Sequence, residues 1–210
     1  MRAFSIAVCT WILVASGSFL AVRGFLEYRE SHTAQDEISQ EWNQENAPDA
    51  VSPAPGTSTR EAVEDLPVRN TPASGIAVAK LSFPSLHSVL YVVEGTGDRD
   101  LKRGPGHLTG TVLPGENGNC VIAGHRDTHF RVLQNIRRGD EVILERSGQR
   151  FRYRVDSMTI VDPTNTASLQ PSTTAELNLI TCYPFHYVGS APKRYIVHAD
   201  LENSSLQASE

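Results

Sequence analysis

Three residues of the 210-residue chain could act together on a carbonyl group: His125, Cys182 and Arg194. Each stands at the end of a short apolar run. His125 closes VIAGH, Cys182 closes LNLITC, and Arg194 opens KRYIVHADL. A thiol at its free pKa is only a few per cent ionised at pH 7, so a nucleophilic cysteine needs a basic or cationic neighbour. Acyl transfer also needs a donor aimed at the developing oxyanion, which a permanently charged guanidinium can supply. Cys182 is followed by Tyr183-Pro184, which turns the chain into a loop, and side chains at such positions reach solvent and substrate. Spacing alone leaves open that Cys182 and Cys120 are simply buried thiols, or that they form a disulfide. Thr181 and Tyr183, beside the thiol, are candidate substrate contacts. His186 and Tyr187 are placed to line a pocket, while His32, His87, His107 and His198 read as surface or core residues.

Other motifs fail on chemistry. His125 and His129 have the spacing of a zinc-protease helix, but Arg126 stands where that motif needs its glutamate. His125-Arg126-Asp127 spells a kinase catalytic loop, yet no glycine-rich phosphate loop accompanies it. No Walker loop is present. No dense acidic loop marks a calcium site, since Asp127, Asp156 and Asp162 are scattered. No cofactor or metal is expected, and calcium dependence is left open.

The elements that must position the three residues lie between positions 76 and 203. Apolar runs of 5–13 residues recur there: IAVAKLSF, SVLYVVEG, NCVIAGH, DEVILERS, QRFRYRVDSMTIV, ELNLITCY and KRYIVHADL. Turn residues punctuate them, and Ser147-Gly148-Gln149 reads as a hairpin turn. This texture predicts an all-β barrel or sandwich. One helix is expected over Arg126–Arg138, with Phe130, Leu133 and Ile136 on one side. Charge divides along the chain: +2 over residues 1–23, -7 over 24–75, and zero over 76–210. A neutral C-terminal part carries no electrostatic footprint for nucleic acid.

Residues 3–22 contain no charged side chain, matching the roughly 20 residues a helix needs to cross a bilayer. A cleaved signal peptide is the competing reading, but the apolar run continues past its small residues. A retained transmembrane signal-anchor over 1–25 is therefore expected, with its orientation poorly fixed by charge. Residues 26–75 are acidic and contain five prolines, and predict a flexible stalk. Its first part, EYRESHTAQDEISQEW, could extend the membrane helix before the chain loosens. A short tail is expected over 204–210.

The segments EGTGDRDLKRGPGHLTGTVLPGENGN, VIAGHRDTHF, LNLITCYPF and GSAPKRYIVHA together resemble the sortases, class D sortases in particular. They span nearly the whole β-rich part in the family's order. One departure stands out: the family's Thr-Leu-x-Thr-Cys signature here begins with Asn178. The resemblance implies an eight-stranded β-barrel with one or two short helices, and a cysteine transpeptidase in which His125, Cys182 and Arg194 are catalytic. It implies a membrane-anchored enzyme, single-pass, with its catalytic part on the extracytoplasmic side of the cytoplasmic membrane. The implied substrate is a secreted protein with a C-terminal Leu-Pro-x-Thr-Gly-like sorting signal. The implied acceptor is an amine from cell-wall precursor or a pilin lysine. A hydrolytic peptidase of the same fold is the alternative, and a non-catalytic binding barrel is a weaker one.

Overall fold

The computed structural model describes residues 2–46 and 72–206. The proline-rich part of the expected stalk, 47–71, and residues 207–210 of the expected tail lie outside the described residues. Eight strands form: β1 (Ala77–Phe83), β2 (Ser88–Glu94), β3 (Gly106–His107), β4 (Gly118–Gly124), β5 (Glu141–Arg146), β6 (Gln149–Val161), β7 (Ala175–Tyr183) and β8 (Lys193–Leu206). They close into a barrel in the order β1-β2-β3-β4-β7-β8-β6-β5, with β5 returning to β1. Most neighbours are antiparallel, but β2 with β3 and β4 with β7 run parallel. The β4–β7 pairing brings the ends of two distant segments to the same rim. β8 continues to Leu206, paired with the start of β6, so the tail expected from 204 begins later.

Side-chain alternation sets the two faces of each strand. In β7, Leu177 and Leu179 enter the core, as do Cys120 and Ile122 of β4 and Val197 and Ala199 of β8. Burying a large aliphatic side chain stabilises by about 1.5–3 kcal/mol, whereas an exposed pair such as Arg138–Asp156 contributes about 0–1 kcal/mol. Apolar closure therefore holds the barrel. The β5–β6 hairpin turns on Ser147 and Gly148, whose φ values of 51° and 71° suit the two-residue primed turn of a twisted ribbon.

The helix expected over Arg126–Arg138 is shorter and of another kind, a 3₁₀ helix over His129–Asn135. Phe130, Leu133 and Ile136 are buried as expected. Their spacing of three fits the three-residue repeat of a 3₁₀ helix better than an α-helical 3.6. β3 escaped notice because two residues carry no periodicity.

Two α-helices precede and interrupt the barrel. The helix α1 spans Arg2–Glu45, and α2 spans Asp98–Arg103 with acids in its first turn and bases in its last, a distribution favoured by the helix dipole. The helix thus continues through the first part of the expected stalk, the extension the sequence allowed over 27–42, and ends at Glu45. Ile38 and Trp42 of α1 are buried, and Trp42 packs on Tyr91. Gln35 explains the docking. β3 covers β2 only at Val93 and Glu94, leaving Tyr91 with backbone groups facing outward. Gln35 Nε2 donates to the Tyr91 and Arg103 carbonyls at 3.1 and 2.8 Å, and its Oε1 accepts from the Tyr91 amide at 2.8 Å. One side chain therefore satisfies a piece of open strand edge. Further up α1, Trp11, Leu13, Phe19 and Leu20 are exposed. The helix expected over 1–25 forms, but its membrane-spanning character does not follow: among the described residues no helix is long and apolar enough to cross a membrane.

Candidate active site

The site is built from strand register. On the outer face of the barrel, Asn178 of β7 pairs with His198 of β8, Ile180 with Ile196, and Cys182 with Arg194. Across the parallel ladder, Val121 of β4 pairs with Asn178 and Ala123 with Ile180, and the ladder ends at Gly124 and Thr181. His125 directly follows the end of β4, as Cys182 directly follows Thr181 on β7, so both chains leave the ladder at the same rim. Cys182 and Arg194 thus stand opposite each other on adjacent strands, with His125 just past the adjoining end of β4, and all three are half-buried. The 162–174 segment between β6 and β7 arches over the rows beneath. Between it and the barrel lies a groove of about 200 Å³. Val121, Ala123, Ile180 and Ile196 form its floor, Pro163 and Leu169 its far wall, and Arg194 stands at its end.

The rim is fixed by local bonds. The Thr181 hydroxyl donates to the Gly124 carbonyl at 2.7 Å, linking the cysteine strand to the histidine strand. The Phe130 amide donates to the His125 carbonyl at 2.9 Å. Gly124 allows this approach, because a Cβ there would lie 2.7 Å from the Phe130 ring. Arg194 Nη1 donates to the Lys193 and Ala191 carbonyls at 3.1 and 3.4 Å. Among the described residues, these are its bonds to protein. Lys193 projects to the other face of the strand and pairs with Asp162.

The candidate substrate contacts divide. Thr181 is buried and turned toward the core side, so it positions the rim and does not line the groove, contrary to expectation. Tyr183 stacks on Tyr195 and meets Phe185 edge-on, forming an aromatic end to the barrel. His186 is exposed in the β7–β8 loop. Cys120 and Cys182 are both free, and they project to opposite faces of the barrel wall. Burial, reinforced by Glu116, pushes the Cys120 thiol well above its ordinary value, leaving it protonated and inert.

Arg126 enters the sequence reading through two motifs that fail and the start of an expected helix, with no role at the site. In the structure its Nη2 donates to the carbonyls of Tyr187 and Gly189 at 3.0 and 2.9 Å, and its guanidinium lies over the Tyr187 ring. It ties the histidine rim to the loop joining Cys182 to Arg194. The signal for it was adjacency: a guanidinium one residue from a catalytic-type histidine alternates away from it. Among the described residues, Glu176, His198 and Asp200 bring three ligand-type atoms within 4.8 Å of one another. They lie at the opposite end of the β7–β8 ladder from Cys182, too far along to act on its thiol.

A closed, mainly β barrel with a thiol, an imidazole and a guanidinium along one rim is the architecture of a cysteine acyltransferase. The Sortase domain family matches residues 81–202, and the chain belongs to that family of cysteine transpeptidases. It is 34% identical to Sortase D of Bacillus subtilis (strain 168) over 190 residues, 89% of this chain and 93% of that protein. Among solved structures, the catalytic domain of B. anthracis SrtD is 30% identical, with a TM-score of 0.57, covering 74% of this chain and 100% of that one. A Clostridium perfringens Sortase D5 transpeptidase is 26% identical with a TM-score of 0.57, covering 62% and 82%.

Proposed function

We propose that this sortase cleaves a C-terminal Leu-Pro-x-Thr-Gly-like signal after Thr and passes the acyl chain to an amine on cell-wall precursor or a pilin. The observation that carries the reading is Cys182 set opposite Arg194, which lines the groove, with His125 just past the adjoining end of β4. The Cys182 thiolate attacks the Thr carbonyl carbon, and the carbonyl electrons move onto oxygen. Arg194, held by the carbonyls of Lys193 and Ala191, presents its remaining donors to that oxyanion. The oxyanion then collapses to the thioester as the C–N bond breaks, and His125 as imidazolium protonates the departing Gly amine. An incoming amine attacks the thioester, with neutral His125 taking its proton and Cys182 leaving as thiolate.

Residues 3–22 are proposed to anchor the enzyme in the cytoplasmic membrane with the barrel on its extracytoplasmic side. The exposed apolar side chains of α1, from Trp11 to Val22, support this, since water disfavours a surface of that kind. The test is mass spectrometry of the thioacyl adduct formed with a peptide library built on Leu-Pro-x-Thr-Gly, with and without added amine. An adduct on Cys182 that amine discharges supports transpeptidation. No adduct with any member, or discharge indifferent to amine, overturns it.

A further inference from the structure

Asn178, the residue that departs from the sortase signature, lies four residues before Cys182 on the same face of β7, beneath the groove floor, and is buried. It belongs to a line of polar groups crossing three strands. His198 Nδ1 lies 3.2 Å from Asn178 Oδ1. Asn178 Nδ2 donates to Asn119 Oδ1 at 2.8 Å. Asn119, also buried, donates through Nδ2 to both the Ser168 and Gln170 carbonyls, at 2.8 and 2.9 Å. Those two carbonyls flank Leu169 in the arch over the groove, where Ser168 and Leu169 themselves line the cavity.

The donors all point one way. The Ser168 and Gln170 carbonyls can only accept, so Asn119 must turn its NH₂ to the arch and its oxygen to Asn178. Asn178 must then turn its NH₂ to Asn119 and its oxygen to His198, which supplies the Nδ1 proton. His198 Nε2 is left facing Asp200 Oδ1 at 3.4 Å. Reversing any one amide would set oxygen against oxygen in a buried space, where an unmet polar group is costly. A threonine hydroxyl at 178 could in kind both donate and accept, but it sits one bond nearer the backbone than the amide groups and does not span to Asn119 and His198 together.

We propose that Asn119, Asn178 and His198 form one positioning chain that fixes the 166–171 arch over the groove and thereby sets affinity for the sorting peptide. The proposal rests on the function proposed above, with the sorting peptide in this groove. None of the three touches Cys182, so the chain acts on peptide binding and leaves the acyl-transfer steps to the rim.

The experiment compares the full chain with Asn119→Ala, Asn178→Ala, Asn178→Thr and the double alanine variant. KM and kcat are measured on the Leu-Pro-x-Thr-Gly library member that the unmodified enzyme cleaves fastest, and amide hydrogen exchange is followed at residues 166–171. Each single variant should raise KM about tenfold while kcat stays within about threefold. Exchange in the arch should quicken. The double variant should be no worse than Asn119→Ala alone, because both break the same chain. Unchanged KM, unchanged arch exchange, or losses that multiply in the double variant would overturn the chain. If the two alanine variants fail to fold, Asn178→Thr decides, since it keeps a polar side chain of similar size. Should the unmodified enzyme form no adduct with any peptide, the groove reading fails and the affinity claim with it. Arch exchange would still decide whether the three residues act as one.

Discussion

The Thr181 hydroxyl donates to the Gly124 carbonyl at 2.7 Å, the last bond across the β4–β7 ladder before the chains diverge to His125 and Cys182. It closes a ladder of seven residue pairs whose register delivers both chains to the same rim. Thr181→Val removes the hydroxyl with little change in shape and leaves a buried carbonyl unmet. It should cost about 1–3 kcal/mol of stability and slow thioester formation, while Thr181→Ser should restore most of both. Denaturant midpoints and single-turnover rates provide the check, and a Thr181→Val enzyme with full rate would show that the bond does not position the rim.

Native-state alkylation should separate the two barrel thiols. Cys182 is half-exposed at the rim, whereas Cys120 is buried and held protonated. Iodoacetamide followed by peptide mapping should modify Cys182 and spare Cys120 until the barrel unfolds. Cys182→Ala should abolish turnover, and Cys120→Ala should keep the chemistry while losing about 1–2 kcal/mol of stability. Early labelling of Cys120 would contradict its burial.

Arg194→Lys should be nearly as damaging as Arg194→Ala. Lysine keeps the charge but lacks the planar fork that holds the Lys193 and Ala191 carbonyls while still reaching substrate. Loss of one oxyanion donor costs about 2.7–4 kcal/mol, roughly 100- to 1,000-fold in rate. Single-turnover thioester formation measures it. A lysine variant within about tenfold of the unmodified enzyme, or about 1.4 kcal/mol, would move the oxyanion role to other donors.

Arg126→Ala should loosen the β7–β8 loop by freeing the Tyr187 and Gly189 carbonyls. Limited proteolysis within 185–192 should accelerate, with turnover reduced and Arg126→Lys intermediate, since lysine can reach one carbonyl but not fork between two. Equal cleavage in all three proteins would leave Arg126 without this function.

The docked end of α1 should contribute to stability. Gln35→Ala with Trp42→Ala exposes the Tyr91 edge and removes an aromatic contact, at a cost of about 2–4 kcal/mol. Denaturant midpoints in the full chain test it. An unchanged midpoint would mean that α1 does not hold the barrel.

Much was readable from the chain alone. Val-, Ile- and Leu-rich runs between turn residues announce strands because a pleated, half-buried surface selects those side chains locally. The Ser147-Gly148 turn was equally local, resting on backbone that tolerates positive φ. The types of His125, Cys182 and Arg194, each at the end of such a run, named the chemistry. Tertiary structure decided what depends on register between distant segments. The parallel β4–β7 ladder brings His125 and Cys182 to the same rim, though 57 residues separate Gly124 from its partner Thr181. Thr181 looked like a substrate contact because it adjoins the thiol, yet strand alternation turns it inward. The acidic composition of 26–45 suggested a solvated tether, but Gln35, Ile38 and Trp42 share one helical face that matches an open strand edge. That edge exists only because β3 is two residues long. Asn178 was visible as an odd letter in a signature. Its meaning required Asn119, Ser168 and His198, which only the closed barrel brings within hydrogen-bonding distance.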